Sequence, residues 1–163
     1  MNRSKGPGFG RVTALGVLLT ASAVALVAHA EEHRQTPGER AVEYRRGVYT
    51  VLAGNFGPVQ AMAEGKMPFS AAAALKRAER AAQMAKMTDD AFPADSNGVG
   101  RTEAKPEIWK QPEEFQKQLQ SLVEKTDALA LAAKTGDQAK ISATAKETAE
   151  TCKSCHDKFK RRD

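Results

Sequence analysis

Cysteines and aromatic side chains are scarce in this sequence. Its 163 residues include two cysteines, one tryptophan, two tyrosines and six phenylalanines, and aromatic residues make up 6% of the chain. One cysteine pair allows at most a single disulfide, which excludes a disulfide-built scaffold. Strand patterns are almost absent after residue 30, so an all-β fold is excluded as well. A helical domain with few bulky core residues remains.

The two cysteines stand together in the segment Cys152-Lys153-Ser154-Cys155-His156. C-x-x-C-H is the attachment sequence of c-type haem, in which two thiols form thioether bonds and the adjacent imidazole ligates the iron. Positions i, i+3 and i+4 share one helix face, so all three side chains can meet one flat macrocycle. A thioredoxin-like pair needs a preceding strand, which the sequence does not predict. A zinc site needs two more ligands at metal-like spacing, but the other histidines are His29, inside the predicted leader, and His33, just after it. The motif therefore predicts one haem c per chain.

Residues 1–30 have the pattern of a secretory signal peptide. Three basic residues within the first eleven positions precede an apolar run, and Ala28-His29-Ala30 is a small-x-small cleavage pattern. We expect cleavage after Ala30, no remaining membrane span and a periplasmic protein, because c-type haem is attached outside the bacterial cytoplasm. An uncleaved anchor is the alternative, since the apolar run approaches the length of a membrane span.

The predicted mature protein, residues 31–163, has the size of one domain. The leader holds three basic residues and no acidic ones, so its removal lowers the formal net charge from +5 to +2. Most of the apparent basicity therefore belongs to the leader, and we expect no nucleic-acid partner.

Glycine and proline divide the mature sequence into four predicted helices. Thr36-Pro37-Gly38-Glu39 is a capping-box pattern that begins the first helix, and Gly65 ends it. Because Pro58 lies inside this helix, we expect a kink near Gly54. The second helix begins after Ser70 and is expected to finish near Met87. Its predicted buried stripe is Ala71, Leu75, Ala78, Ala82 and Ala85.

The third predicted helix opens at Pro112, and the fourth follows the turn Thr135-Gly136-Asp137. Its inward stripe, which carries both thiols, is Ile141, Ala145, Thr148, Cys152, Cys155 and Phe159. Residues 88–110 form a long connection that we expect to cross the cofactor edge, held down by Phe92, Ile108 and Trp109. Since bulky core residues are few, a buried porphyrin supplies much of the core volume, and we expect the apo-protein to be poorly folded.

With these elements in place, the chain resembles the cytochrome c′ family, the class II c-type cytochromes. The matching segments are Tyr44-Arg45, Asn55-Phe56-Gly57-Pro58, Lys105-Pro106-Glu107-Ile108-Trp109 and Cys152 to Phe159. The resemblance implies a left-handed antiparallel four-helix bundle with covalently bound haem, and commonly a homodimer formed through the first two helices.

The resemblance also implies roles for individual residues. His156 is the proximal iron ligand, and the opposite iron face is vacant and covered by Tyr49, where low-spin relatives place a methionine. Arg45 contacts a haem propionate, and Arg46 stands where the family usually has glutamine. Three further residues match positions near the haem: Phe92, Glu103 and Lys160. For Arg46 and Lys160 a solvated helix face is the alternative, and the four methionines after the leader are expected in the core or an interface.

An iron with one protein ligand and one guarded vacancy suits a small diatomic molecule. The resemblance favours reversible binding of NO or CO, with NO buffering as the physiological role. Electron transfer with redox partner proteins is the alternative function. Weak peroxidase activity ranks third, because no distal His and Arg pair stands at an interpretable spacing, and we expect the protein not to be an enzyme.

Overall fold

A computed structural model describes residues 34–161, and the predicted signal peptide lies outside them. Four long helices are present in this part: α1 (Pro37–Ala63), α2 (Ala71–Ala85), α3 (Pro112–Lys134) and α4 (Gln138–Phe159). Consecutive helices pack against each other, and α4 closes the ring by packing against α1. This confirms the predicted four-helix bundle. No helix within residues 34–161 combines the length and apolarity needed to cross a membrane.

Side-chain caps begin the helices where the sequence predicts them. Thr36 Oγ1 accepts from the Glu39 N–H at 3.2 Å, and the Glu39 carboxylate accepts from the Thr36 N–H at 2.8 Å, which completes the capping box. Ser70 and Asp137 accept from backbone N–H groups in the first turns of α2 and α4. Gly136, with φ of 70°, adopts the left-handed conformation after α3. These boundaries are local, so the sequence alone predicts them.

The helix α1 is continuous through Pro58. Because proline has no N–H, the carbonyl of Gly54 loses its helical hydrogen-bond partner. Arg77 of α2 donates Nη1 to that carbonyl at 3.2 Å. The neighbouring helix thus supplies the missing hydrogen bond, and the kink near Gly54 stays a prediction.

The helix α2 differs from its prediction in its end and in its buried face. It ends at Ala85, two residues before Met87, where the Thr88 hydroxyl donates to the Ala85 carbonyl at 2.7 Å. Its buried residues are Ala74, Ala78, Ala81, Ala82 and Ala85, whereas Ala71 and Leu75 are half-buried. Residues 71–74 are all alanine, so several faces offer equal apolar area, and packing decides which is buried.

The connection between α2 and α3 contains a 3-10 turn, Ala94–Ser96, and a single helical turn, Glu107–Lys110. Gly38 of α1 is buried against the first of these, and a Cβ there would collide with the carbonyl oxygen of Asp95. Trp109 Nε1 donates to the carbonyl of Phe92 at 3.1 Å, and the Phe92 ring lies 4.8 Å from Phe115 of α3. These contacts hold the connection across one end of the bundle.

Candidate functional site

A cavity of about 1080 Å³ lies between α1, α3, α4 and the connection. This volume slightly exceeds the ~300–1,000 Å³ range of ordinary ligand pockets. Its apolar wall includes Leu52 and Phe56 from α1 and Phe115, Leu119 and Leu122 from α3. The bundle is therefore hollow at the end that carries the cysteine motif.

The last turns of α4 bring Cys152, Cys155 and His156 to the cavity wall. The two cysteines are half-buried, and their thiols are not bonded to each other. Burial raises the pKa of Cys155 to about 11 and also raises the pKa of Cys152. Burial and the charge of Lys160 lower the pKa of His156, which favours the neutral imidazole. Neutral imidazole is the form that ligates a metal.

All nine residues predicted for the site line this one cavity. They are Arg45, Arg46, Tyr49, Phe92, Glu103, Cys152, Cys155, His156 and Lys160. They come from two helices and the connection, and they are separated by up to 115 positions in the sequence. Two thiols and an imidazole on one wall, facing a porphyrin-sized volume, fit a haem c.

Arg45 is the most buried charged residue of the cavity, with 3% of its surface exposed. Its guanidinium donates to Ser96 Oγ and to Thr102 Oγ1, each at 2.8 Å, and lies 5.1 Å from the centre of the Phe92 ring. These partners are neutral, so no carboxylate within residues 34–161 compensates the charge. A buried cation without an anionic partner is costly, which suits this wall to an anionic group of a ligand.

Residues 40–160 match the family described as Cytochrome C′. The chain belongs to the cytochrome c′ family. It is 42% identical over 127 residues to cytochrome c′ of Rubrivivax gelatinosus, and the aligned region covers 77% of this chain and 97% of that protein.

Solved cytochrome c′ structures have the same fold. The structure from Shewanella frigidimarina has a TM-score of 0.74 at 36% identity, with 79% of this chain and 100% of that chain covered. A nitric oxide complex of a variant of cytochrome c prime from Alcaligenes xylosoxidans has a TM-score of 0.71 at 28% identity, with 79% of this chain and 100% of that chain covered. The family and fold inferred from the sequence are confirmed.

In this cytochrome c′, residues 102–105 link the α1 wall to the end of α4; we call them the strap. Thr102 Oγ1 accepts a hydrogen bond from Arg45. The Glu103 carbonyl accepts from the Arg161 N–H at 2.8 Å, and the Lys105 N–H donates to the Phe159 carbonyl at 2.9 Å. The Glu103 carboxylate lies 2.7 Å from the Lys160 ammonium, which lowers the pKa of Glu103. The strap therefore fixes the turn of α4 that follows His156.

Lys105 also caps the end of α4 with its side chain, since Nζ donates to the carbonyls of Asp157 and Lys158 at 3.2 Å each. We expect Lys105→Met to lower the free energy of unfolding by about 1 kcal/mol, because a cation is removed from a helix C-terminus and two carbonyls lose a donor. Urea unfolding of the haem-loaded protein measures this loss. In Lys110→Met, the matched control, only an exposed 3.9 Å contact with Glu107 is lost, so stability should hardly change. Equal losses in both variants would contradict the capping role.

Tyr49 lies half-buried in the α1 wall, edge-on to Phe92 with ring centres 6.2 Å apart. Burial raises the pKa of Tyr49 above its usual range, so the phenol is protonated at neutral pH. The methionines of residues 34–161 lie elsewhere: Met62 is buried in the bundle core, Met84 is half-buried, and Met67 and Met87 are exposed. Met62 therefore lies in the core as expected, and an interface role for the exposed methionines stays a prediction.

Several residues at the site were not found from the sequence. Arg101 and Thr102 line the cavity, and Ser96 holds Arg45 from behind the wall. Their side chains belong to a connection without regular periodicity, so no sequence pattern indicates which of them face inward. The one sequence feature that could have indicated Arg101 is its position two residues before the predicted site residue Glu103.

Proposed function

We propose that this cytochrome c′ carries one haem c and reversibly binds a small diatomic gas, NO or CO, as a binding protein rather than an enzyme. The supporting observation is that one cavity joins the two thiols and His156 of α4 to a wall on α1 that carries Tyr49 and Phe56. A haem iron with one protein ligand supplies an open coordination position for such a gas.

The chain's own residues define how the cofactor and gas are held. Cys152 and Cys155 would form the thioether bonds, His156 would ligate the iron, and Arg45 would neutralise a propionate. Phe92, Arg46, Glu103 and Lys160 would lie along the cofactor edge. Tyr49 would cover the position opposite His156, excluding water and larger molecules by its bulk, and its neutral hydroxyl is a hydrogen-bond donor.

The nitric oxide complex of the Alcaligenes xylosoxidans relative supports a gas as the ligand. We propose that the mature protein, residues 31–163, acts in the periplasm after cleavage behind Ala30, where it would buffer NO. Intact-mass measurement of the purified protein tests the cleavage and the covalent attachment of haem, because each changes the mass by a distinct amount.

Absorption spectra of the ferric and dithionite-reduced protein, with and without CO, test the proposed function directly. A high-spin reduced spectrum that shifts with CO is the expected result. A low-spin reduced spectrum indifferent to CO would overturn gas binding, because it requires a sixth ligand from the protein.

The bulk of Tyr49 should limit how fast a gas enters. We expect Tyr49→Ala to raise the CO association rate constant by about tenfold, which corresponds to a barrier lower by ~1.4 kcal/mol. Flash photolysis or stopped-flow mixing measures this rate. Tyr44→Ala removes the other tyrosine of α1, which is 40% exposed and does not line the cavity, so its rate should match the wild type. An unchanged rate in Tyr49→Ala would show that Tyr49 does not guard the site.

Electron transfer is the second candidate, favoured by the exposure of His156 and its neighbours at the cavity opening. An open cofactor edge permits close approach of a redox partner. Electron transfer would become the leading function if the reduced spectrum did not respond to CO and the protein exchanged electrons rapidly with itself.

We also propose a homodimer formed through α1 and α2. Tyr44 and Val51 of α1 are 40% and 47% exposed, and Met87 beyond α2 is 39% exposed. We expect Val51→Asp to weaken the dimer about 100-fold, ~2.8 kcal/mol, because a carboxylate would be buried in an apolar contact. Sedimentation equilibrium measures this, with Leu131→Asp, exposed on α3, as the control. A wild-type monomer, or equal effects of both variants, would contradict the proposed interface.

A further inference from the structure

The net charge of the described chain is concentrated at the cavity. The sequence has 25 basic and 20 acidic residues, of which 21 basic and 17 acidic residues lie within residues 34–161. This part of the chain therefore has a formal net charge of +4. The cavity-lining residues include five basic and one acidic side chain, which also sum to +4: Arg45, Arg46, Arg101, Lys153, Lys160 and Glu103. The rest of residues 34–161 sums to zero and includes Asp157, which pairs with Lys153, so the positive charge is concentrated at the cavity.

The exposed lining residues show where the cavity opens. They are Arg46, Thr50 and Ala53 on α1, Arg101 and Glu103 on the connection, and Lys153 and His156 on α4. The opening lies among these three elements, and we call it the mouth. A cofactor attached beside His156 would therefore present an edge to solvent there.

Intramolecular pairing does not neutralise the mouth. Lys160 pairs with Glu103 at 2.7 Å, and Lys153 pairs with Asp157 at 2.5 Å. Arg46 and Arg101 form no hydrogen bond or ion pair within residues 34–161 and act on Glu103 only through space. Guanidinium groups of this kind are well suited to carboxylates.

The proposed haem would not neutralise the cavity either. Its two propionates would lower the charge of the lining from +4 to +2, and Arg45 is the proposed partner of one of them. A positive mouth around a redox-active edge attracts anions and steers their approach.

We infer that the mouth is a docking surface for a redox protein with an acidic patch, which exchanges electrons with the haem. This inference rests on the haem of the proposed function and names the partner of the same site. The partner's carboxylates would face Arg46 and Arg101, because these exposed cations have no ion-pair partner within residues 34–161. In the proposed step, one electron passes from the reduced partner to the ferric iron, which becomes ferrous, and the partner is oxidised by one electron.

Two inorganic oxidants of opposite charge test the field at the mouth. Stopped-flow mixing of the reduced protein with hexacyanoferrate(III), an anion, and with tris(phenanthroline)cobalt(III), a cation, removes one electron from the ferrous iron in each case. We expect the anion's rate constant to fall as ionic strength rises from about 10 mM to about 0.5 M, and the cation's to rise. The opposite pair of slopes, or none, would overturn the inference.

Charge reversal locates the effect. In Arg46→Glu, Arg101→Glu the anion's rate constant should fall about tenfold at low salt while the cation's rises. General damage to the pocket would move both rates in one direction. The matched control is Lys117→Glu, Lys146→Glu, an equal charge change on exposed residues that do not line the cavity. Equal effects in the two double variants would refute a local docking surface.

A reduced plant-type ferredoxin serves as the acidic protein probe. We expect its reduction of the ferric protein to saturate with ferredoxin concentration at low salt, and saturation to disappear at about 0.5 M salt and in Arg46→Glu, Arg101→Glu. Salt-independent, unsaturable kinetics would overturn protein docking even if the inorganic probes respond. The wild-type CO spectrum reports separately on gas binding, so the two proposals fail independently.

Discussion

We expect the Cys152→Ser, Cys155→Ser double variant to lose covalent haem and most of its cooperative structure. Without the cofactor, the chain must maintain a cavity of about 1080 Å³. An unfilled cavity leaves its apolar wall without packing partners, and water entering through the mouth does not replace those contacts. Because native domains are stable by only ~5–15 kcal/mol, we expect the cavity end to collapse or unfold.

Circular dichroism and thermal unfolding of the double variant measure this result, with low helicity and a broad transition expected. Ser154→Ala is the matched control, because Ser154 lies between the two thiols but is exposed and bonds only to Gln118 and its own helix. It should keep the haem and a sharp transition. Near-native helicity and cooperative melting of the double variant would show that the bundle does not depend on its cofactor.

Replacing Arg45 by methionine should lower the free energy of unfolding by ~2–4 kcal/mol. The variant keeps much of the side-chain volume but removes the charged hydrogen bonds to Ser96 and Thr102 and leaves those buried oxygens with fewer donors. It also removes the cation from the face of Phe92. Urea unfolding of the haem-loaded protein measures the change.

The neighbouring arginine provides the control for this prediction. Arg46 is exposed and forms no hydrogen bond within residues 34–161, so Arg46→Met should change stability by less than about 0.5 kcal/mol. A reduced haem spectrum altered in Arg45→Met alone would add evidence for the propionate contact. Similar small losses in both variants would mean that the buried hydrogen bonds of Arg45 contribute little.

Features fixed by neighbouring residues could be predicted from the sequence. The capping box at Thr36 and the Gly136 turn depend on a few adjacent positions, and the structure has them where expected. The spacing of Cys152, Cys155 and His156 likewise sets their common face on α4. The resemblance to cytochrome c′ predicted Arg45, Tyr49 and the connection residues as part of the site, and they line the same cavity.

Features set by distant parts of the chain could not be predicted. The buried face of α2 depends on which of several equivalent alanines the neighbouring helices cover, and the carbonyl freed by Pro58 is bonded by Arg77, 23 positions away from it. Arg101 and Thr102 reach the cavity because the connection is held at both ends, by Phe92 and by the strap. No local pattern encodes such a path.

The strap has a consequence for the order in which the pocket can form. Thr102 meets a residue 57 positions earlier in the chain, and Lys105 meets one 52 positions later. Contacts over such separations cost loop-closure entropy that the local contacts of a helix do not, so the helices should form before the pocket. Because α4 follows every other element of the pocket, an unfinished chain cannot assemble it. If the proposed attachment of haem to Cys152 and Cys155 comes before the contacts of the strap form, closing the strap is the late event that encloses the cofactor.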